Sequence, residues 1–259
     1  MNALQALILG LIQGLTEFLP VSSSGHLEIG KYLLGDLPES LNFTVAVHGA
    51  TVLSILVVFR KEIFDLLKGL FAFRWNEETI YIFKLLLSAI PVAIVGVFFK
   101  EEVEALFSGR IRFVGGMLLI TGVLLFLTTL VPAGKRKISW MDSFVIGIAQ
   151  AVAVLPGISR SGSTIVTALL LGNERAEATR FSFLMVLLPV IGANLLEISS
   201  GEFSSANAVG PVPLLIGFAA AFISGLFACK WMLSIVRKGK LWYFAVYCLI
   251  IGFLALVVL

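Results

Sequence analysis

Gln13, Glu17, Ser23 and His26 follow one another through a single apolar stretch of this chain, and an arginine, Arg160, sits among serines in a second stretch. These are the parts of a phosphoryl-transfer site. A serine hydroxyl or an imidazole can attack phosphorus once a neighbouring base is in place, and a guanidinium grips phosphate oxygens through a planar fork. Gln13 and Glu17 are four apart, so they share one face of a helix. A carboxylate inside apolar sequence is expensive to keep there, which marks Glu17 as a candidate site residue by default. Ser23 and His26 lie three apart around a turn, which favours His26 as base for Ser23, with the reverse assignment open. Glu17, Ser23, His26 and Arg160 are therefore the candidate catalytic residues, and the chemistry they suit is hydrolysis of a phosphate bond.

The two stretches are copies of one pattern, 137 positions apart: Gly10 aligns with Gly147, Gln13 with Gln150, Ser22 with Ser159, Ser24 with Ser161 and Gly25 with Gly162. Pro20 and Pro156 are out of step by one residue, and Glu17, Ser23 and His26 face Val154, Arg160 and Ser163. A duplicated scaffold with different reactive groups in each copy predicts one site assembled from both halves. Each Ser-Gly step leads into a half-helix whose free N–H groups favour an anion, most naturally phosphate. Gln13, Ser24, Gly25, Ser159, Ser161, Gly162 and Thr164 are the expected binding contacts, the glycines (with Gly157) allowing the backbone to come close. Plainer roles compete. Ser22 and Ser159 fit helix caps better than ligands, and Glu17 with Arg160 would also serve as a buried structural pair, a costly device. His48, alone in an apolar segment, reads as a hydrogen-bonded packing residue. Glu28 and Lys31 fit a simple pair, and Lys100 to Glu104 a solvated loop.

The elements that must position these groups are membrane helices. Hydrophobic residues make up 59%, charged residues 14%, and the mean hydropathy is +1.02, far from a soluble balance. A net charge of +3 spread over loops leaves no nucleic-acid footprint. Cys229 and Cys248 lie in apolar sequence and read as packing, and the first basic residue is Lys31, so no cleavable leader is expected. Six segments, 42–59, 79–99, 111–131, 178–198, 212–233 and 241–259, are long enough to span, since ~18–22 helical residues cover a ~30 Å hydrocarbon core. Residues 3–34 and 141–171 are apolar but broken by Pro, Gly and Ser, and they read as re-entrant hairpins, two kinked transmembrane helices being the alternative. With hairpins, the basic connections 60–78, 132–140 and 234–240 share one face, and 199–211, which has no Lys or Arg, falls on the other. That is the positive-inside pattern, diluted by Lys100, Arg110 and Arg112. Trp140, Trp231, Trp242 and Tyr243 near span ends fit an interfacial belt. The expected fold is an all-α polytopic membrane protein, a single domain over 1–259. It has six transmembrane helices plus two re-entrant hairpins, arranged as an inverted repeat of 1–131 and 141–259.

Gln13 to His26 and Pro156 to Thr164 resemble the two signatures of the undecaprenyl-diphosphate phosphatase (bacitracin-resistance) family, and length, spacing and span pattern fit over nearly the whole chain. The resemblance implies a multi-pass protein of the plasma membrane with a site open to the outer face. It would remove the terminal phosphate from a polyprenyl diphosphate and return the monophosphate carrier to cell-envelope synthesis. It also implies a divalent cation, Mg²⁺ or Ca²⁺, and leaves a homodimer open. The family's acidic motif falls on Gln13 and Glu17, its serine and histidine on Ser23 and His26, and its phosphate-binding arginine on Arg160. Many members carry Glu where this chain has Gln13, so the metal would rest on Glu17, phosphate oxygens and water. A transporter or flippase of a lipid-linked or small anionic substrate is the competing class, because inverted repeats with broken helices are transporter features. The type-2 phosphatidic acid phosphatases share a Ser-Gly-His triplet but need an Arg-Pro pair, and this chain contains none.

Overall fold

The computed structural model describes residues 1–35, 37, 40–106, 110–132, 134–199 and 208–258. Within them the chain is helical throughout, with no strand and one isolated bridge between Arg136 and Asn173. Helix α1 (Ala3–Phe18) opens with a capping box in which Asn2 and Gln5 serve each other's backbone N–H. It stops before Leu19-Pro20, because a residue preceding proline is pushed out of the helical region. After a short turn, α2 (Ser23–Leu33) starts from Ser22. The second copy repeats this plan as α8 (Trp140–Val152), with a Ser139–Asp142 capping box, and α9 (Arg160–Leu170), started by Ser159. Both broken segments are thus two half-helices around a proline-bearing turn.

Among the described residues four helices are long and apolar enough to cross a membrane: α3 (Leu41–Val58), α5 (Glu77–Phe98), the run Arg175–Glu197 and α12 (Pro211–Arg237). Their surfaces point the same way. On α5 the buried residues are Thr79, Leu85 and Ser88, while Ile90, Ile94, Val97 and Phe98 face outward. Apolar side chains outside and polar ones within suit lipid as the surrounding solvent.

The expected segment 111–131 forms a shorter helix, α7 (Ile111–Leu127), and 241–259 forms α13 (Trp242–Val257). The expected 178–198 is divided at Val186 into α10 (Arg175–Met185) and α11 (Leu187–Ser199). Pro189 lies four residues after Met185, so it has no N–H for that carbonyl and its ring crowds it. Two further helices lie in the connections, α4 (Arg60–Leu70) and α6 (Lys100–Glu104). The former carries Lys61 and Lys68 beside exposed Phe64 and Leu67, the composition of a helix lying at a membrane surface.

The halves are interleaved. Helix α1 packs along α12, and its counterpart α8 packs along α5. The aligned glycines of the repeat make both contacts. A Cβ at Gly10 would strike the Gly217 backbone, and one at Gly147 would strike the Ser88 backbone. Helices α7 and α13 meet through Gly115 and Gly252, each of which approaches the other's carbonyl. Small residues let membrane helices touch backbone to backbone, where dispersion contacts are densest.

Candidate active site

The turns of the two broken segments meet tip to tip. Ser161 donates to the Leu19 carbonyl at 3.2 Å, and a Cβ at Gly25 would come within 3.1 Å of the Gly157 Cα. Each tip is held by the helix pair behind it. Thr121 on α7 donates to the Gly157 carbonyl and accepts from the Ser159 N–H, and the Cys248 thiol on α13 donates to the Pro20 carbonyl. The one-residue slip of the prolines has a conformational counterpart. In the longer turn Gly157 takes φ +96° and Ser159 stays extended; in the shorter one Ser22 itself takes φ +69°. A non-glycine residue there is strained by roughly 1–3 kcal/mol, a cost that tends to gather at functional loops.

Glu17 is the hub. Its Oε1 receives the Arg160 Nη2 at 2.6 Å, and its Oε2 receives the Ser23 hydroxyl at 2.6 Å and the Gln13 amide at 2.9 Å. The side chain is 6% exposed and that of Arg160 is 27%, so the pair straddles the floor of a cavity. Only Nη2 of Arg160 is engaged by a protein group among the described residues, leaving the rest of its fork for a ligand. The cavity, about 490 Å³, is bounded at its polar end by Glu17, Ser23, Ser24, Ser159, Arg160 and Ser161. Leu9, Leu27, Phe43 and Val92 line its flank, and Glu28 and Lys31 form a 2.6 Å pair on its wall.

Other expected site residues lie elsewhere. The N–H groups of Gly25 and Gly162 are taken by the hydroxyls of Ser22 and Ser159. Those serines are caps, as their plainer role required, and the N–H groups available to an anion are those nearer the helix starts. The glycines serve close contact between the tips instead. Thr164 turns inward to Ser182 and the Arg160 carbonyl, fixing α9 to α10 away from the cavity. The pairing of His26 with Ser23 needs correction. His26 Nδ1 bonds the Ser22 carbonyl at 2.8 Å, its Nε2 meets the Tyr247 hydroxyl at 2.8 Å, and the two rings stack. Being three apart on α2 did not make them partners, because Ser23 turns to α1 and His26 to α13. Gln13 is fully buried behind Glu17, outside the cavity wall.

His48, read from sequence as packing, lines the same cavity as Glu17. Its Nδ1 is bound to the Thr44 carbonyl at 2.9 Å. A carbonyl only accepts, so Nδ1 carries the hydrogen of that bond. The overlooked signal was the polar spacing Thr44, His48, Thr51 along a mostly apolar helix. Gln150, quoted in the repeat but given no role, also belongs to the cavity wall.

The model of the family described as "Bacitracin resistance protein BacA" matches residues 6–254. The chain is 53% identical over 260 residues to an undecaprenyl-diphosphatase of Christiangramia forsetii, covering 99% of this chain and 98% of the relative. It is 55% identical over 263 residues to one of Bacteroides fragilis, covering 100% and 98%. Identity to an undecaprenyl-diphosphatase of the more distant Carboxydothermus hydrogenoformans is 41% over 263 residues, covering 99% and 97%. With a match across both tips and the helices behind them, the chain belongs to the bacitracin resistance protein BacA family.

Proposed function

We infer that this chain is an integral membrane phosphatase that hydrolyses undecaprenyl diphosphate to the monophosphate and inorganic phosphate. It thereby recycles the lipid carrier of cell-envelope synthesis and confers bacitracin resistance. The observation that carries the reading is the Ser23 hydroxyl donating to Glu17 while the same carboxylate holds Arg160. A hydroxyl on a carboxylate is a nucleophile on its base. The bond from Ser23 Oγ to the terminal phosphorus forms as the bridging P–O bond breaks. The serine proton passes to Glu17, and the lipid monophosphate leaves with the bridging oxygen. Glu17 hands that proton to the departing monophosphate. Water then attacks the phosphoserine, and Glu17 receives the water's proton and returns it to Ser23 Oγ as the serine P–O bond breaks and phosphate departs. Arg160 swings its fork from Glu17 to the phosphate oxygens and stabilises the charge at phosphorus. Glu17 replaces His26 as the base in this scheme. His26 becomes a positioning residue that ties the first turn of α2 to Tyr247.

The residues fit a divalent ion only as one shared with the substrate. Among the described residues no group of three His, Cys, Asp or Glu gathers to hold a metal. Gln13 Oε1 is buried beside Glu17 without a partner among the described residues, so the two would supply two oxygens while diphosphate and water complete the shell. Bound there, Mg²⁺ or Ca²⁺ would neutralise phosphate charge.

The architecture that serves this reading has six crossings, with α7 and α13 as short spans, and two hairpins that dip in from opposite faces. The second half is inverted, as the reciprocal packing of α1 on α12 and α8 on α5 supports. The cavity opens outward in this arrangement, and the prenyl chain lies along its apolar flank. Purified wild-type protein in detergent should release phosphate from a polyprenyl diphosphate, and Ser23→Ala should lose that activity. A transporter needs two compartments and would release none.

A further inference from the structure

Gln150 has both of its amide atoms buried without any hydrogen-bond partner among the described residues, and the residue is 0% exposed. Such a group is costly, since an amide taken from water with neither atom satisfied carries its full desolvation penalty. The repeat explains how this arises. In the first copy the amide of Gln13 donates four residues on to Glu17. In the second copy the residue four on from Gln150 is Val154, which offers nothing. Gln150 at the C-terminal end of α8, with Ala153 and Val154 of the turn that follows, lines the cavity wall. Gln150 therefore borders the same cavity as Glu17 and Arg160.

We propose that Gln150 is a substrate-binding residue for the terminal phosphate. The reading rests on the cavity being the phosphate site. When Arg160 leaves Glu17 for the ligand, the floor opens and the Gln150 Nε2–H donates to a phosphate oxygen from the half opposite Ser23. Its Oε1 accepts from a water held beside that phosphate. A neutral donor adds grip without a second fixed cation next to Arg160, so the product phosphate can still leave.

The test uses purified full-length protein with a polyprenyl diphosphate as substrate and inorganic phosphate as competing ligand. Gln150→Leu keeps the shape and removes the amide. It should lower kcat/KM and weaken inhibition by phosphate by about 10- to 100-fold, the scale of one hydrogen bond to a charged group. Its thermal midpoint should equal or exceed that of wild type, because an unsatisfied buried amide has been removed. Gln150→Glu should be worse than Leu near neutral pH and recover as the pH is lowered, since its charge repels phosphate only when ionised. Wild-type kcat/KM and phosphate inhibition in Gln150→Leu would overturn the proposal, and so would a fall in thermal midpoint accompanying lost activity, which marks a structural amide. Arg160→Ala run alongside separates the two readings. Full activity in that variant would sink the cavity as the phosphate site, whereas a dead Arg160→Ala beside a normal Gln150→Leu would remove Gln150 alone.

Discussion

At the scale of single residues the account turns on Glu17 serving two partners from two halves of the chain. Arg160→Ala should cost at least ~10²–10³ in turnover through lost charge stabilisation. Arg160→Lys should recover only part of it, because a point charge does not reproduce a planar fork; steady-state phosphate release measures both. The position of His26 gives a sharper comparison. As a tie between Ser22 and Tyr247, it acts on Ser23 only through the placement of α2. Tyr247→Phe should then lower kcat in the same direction as His26→Ala, though by less. A Tyr247→Phe enzyme indistinguishable from wild type, beside an inactive His26→Ala, would return His26 to the chemistry itself. Glu17, Ser23 and Arg160 were legible in the sequence because ionisable and nucleophilic residues stand out in apolar surroundings. The partnership of Ser23 with Glu17 was not, since spacing along α2 cannot say which neighbouring helix a side chain turns to.

At the scale of elements, glycines decide how closely the helices approach. Gly147 and Gly96 are both helical, yet a Cβ at Gly147 would lie 2.5 Å from the Ser88 carbonyl oxygen while one at Gly96 meets nothing. The same substitution should act with opposite sign. Gly96→Ala should raise the thermal midpoint slightly through helix propensity. Gly147→Ala should lower it, by an overpacking cost of about 1–3 kcal/mol that exceeds the propensity gain. Equal shifts would show that α8 does not depend on close contact with α5. The breaks within 3–34 and 141–171 were readable from Pro20 and Pro156, whose effects are local. The shortness of α7 and α13 was not. Their ends depend on where the backbone stops finding helical partners, and flanking apolar residues such as Leu130 and Val258 hide that from hydropathy.

At the scale of the molecule, two copies of one pattern face each other and share a single site. The proposed inverted arrangement assigns a side of the membrane to every connection. Single cysteines at Asn2, Lys68, Arg110, Arg136 and Lys238, in a background lacking Cys229 and Cys248, can be probed in intact cells with an impermeant thiol reagent. Positions 2 and 110 should label and 68, 136 and 238 should not; labelling at 2 and 136 alike would contradict two hairpins entering from opposite faces. The interleaving of α1 with α12 and α8 with α5 was beyond the sequence, because the repeat shows which segments correspond but not which ones touch. The most direct test of the whole account is to quench wild-type enzyme during turnover of a polyprenyl diphosphate labelled in its terminal phosphate, and to map the label. The account predicts an acid-stable, base-labile phosphoserine at Ser23 that is lost in both Ser23→Ala and Arg160→Ala. Acid-labile label at His26, or undiminished phosphate release by Ser23→Ala, would contradict it.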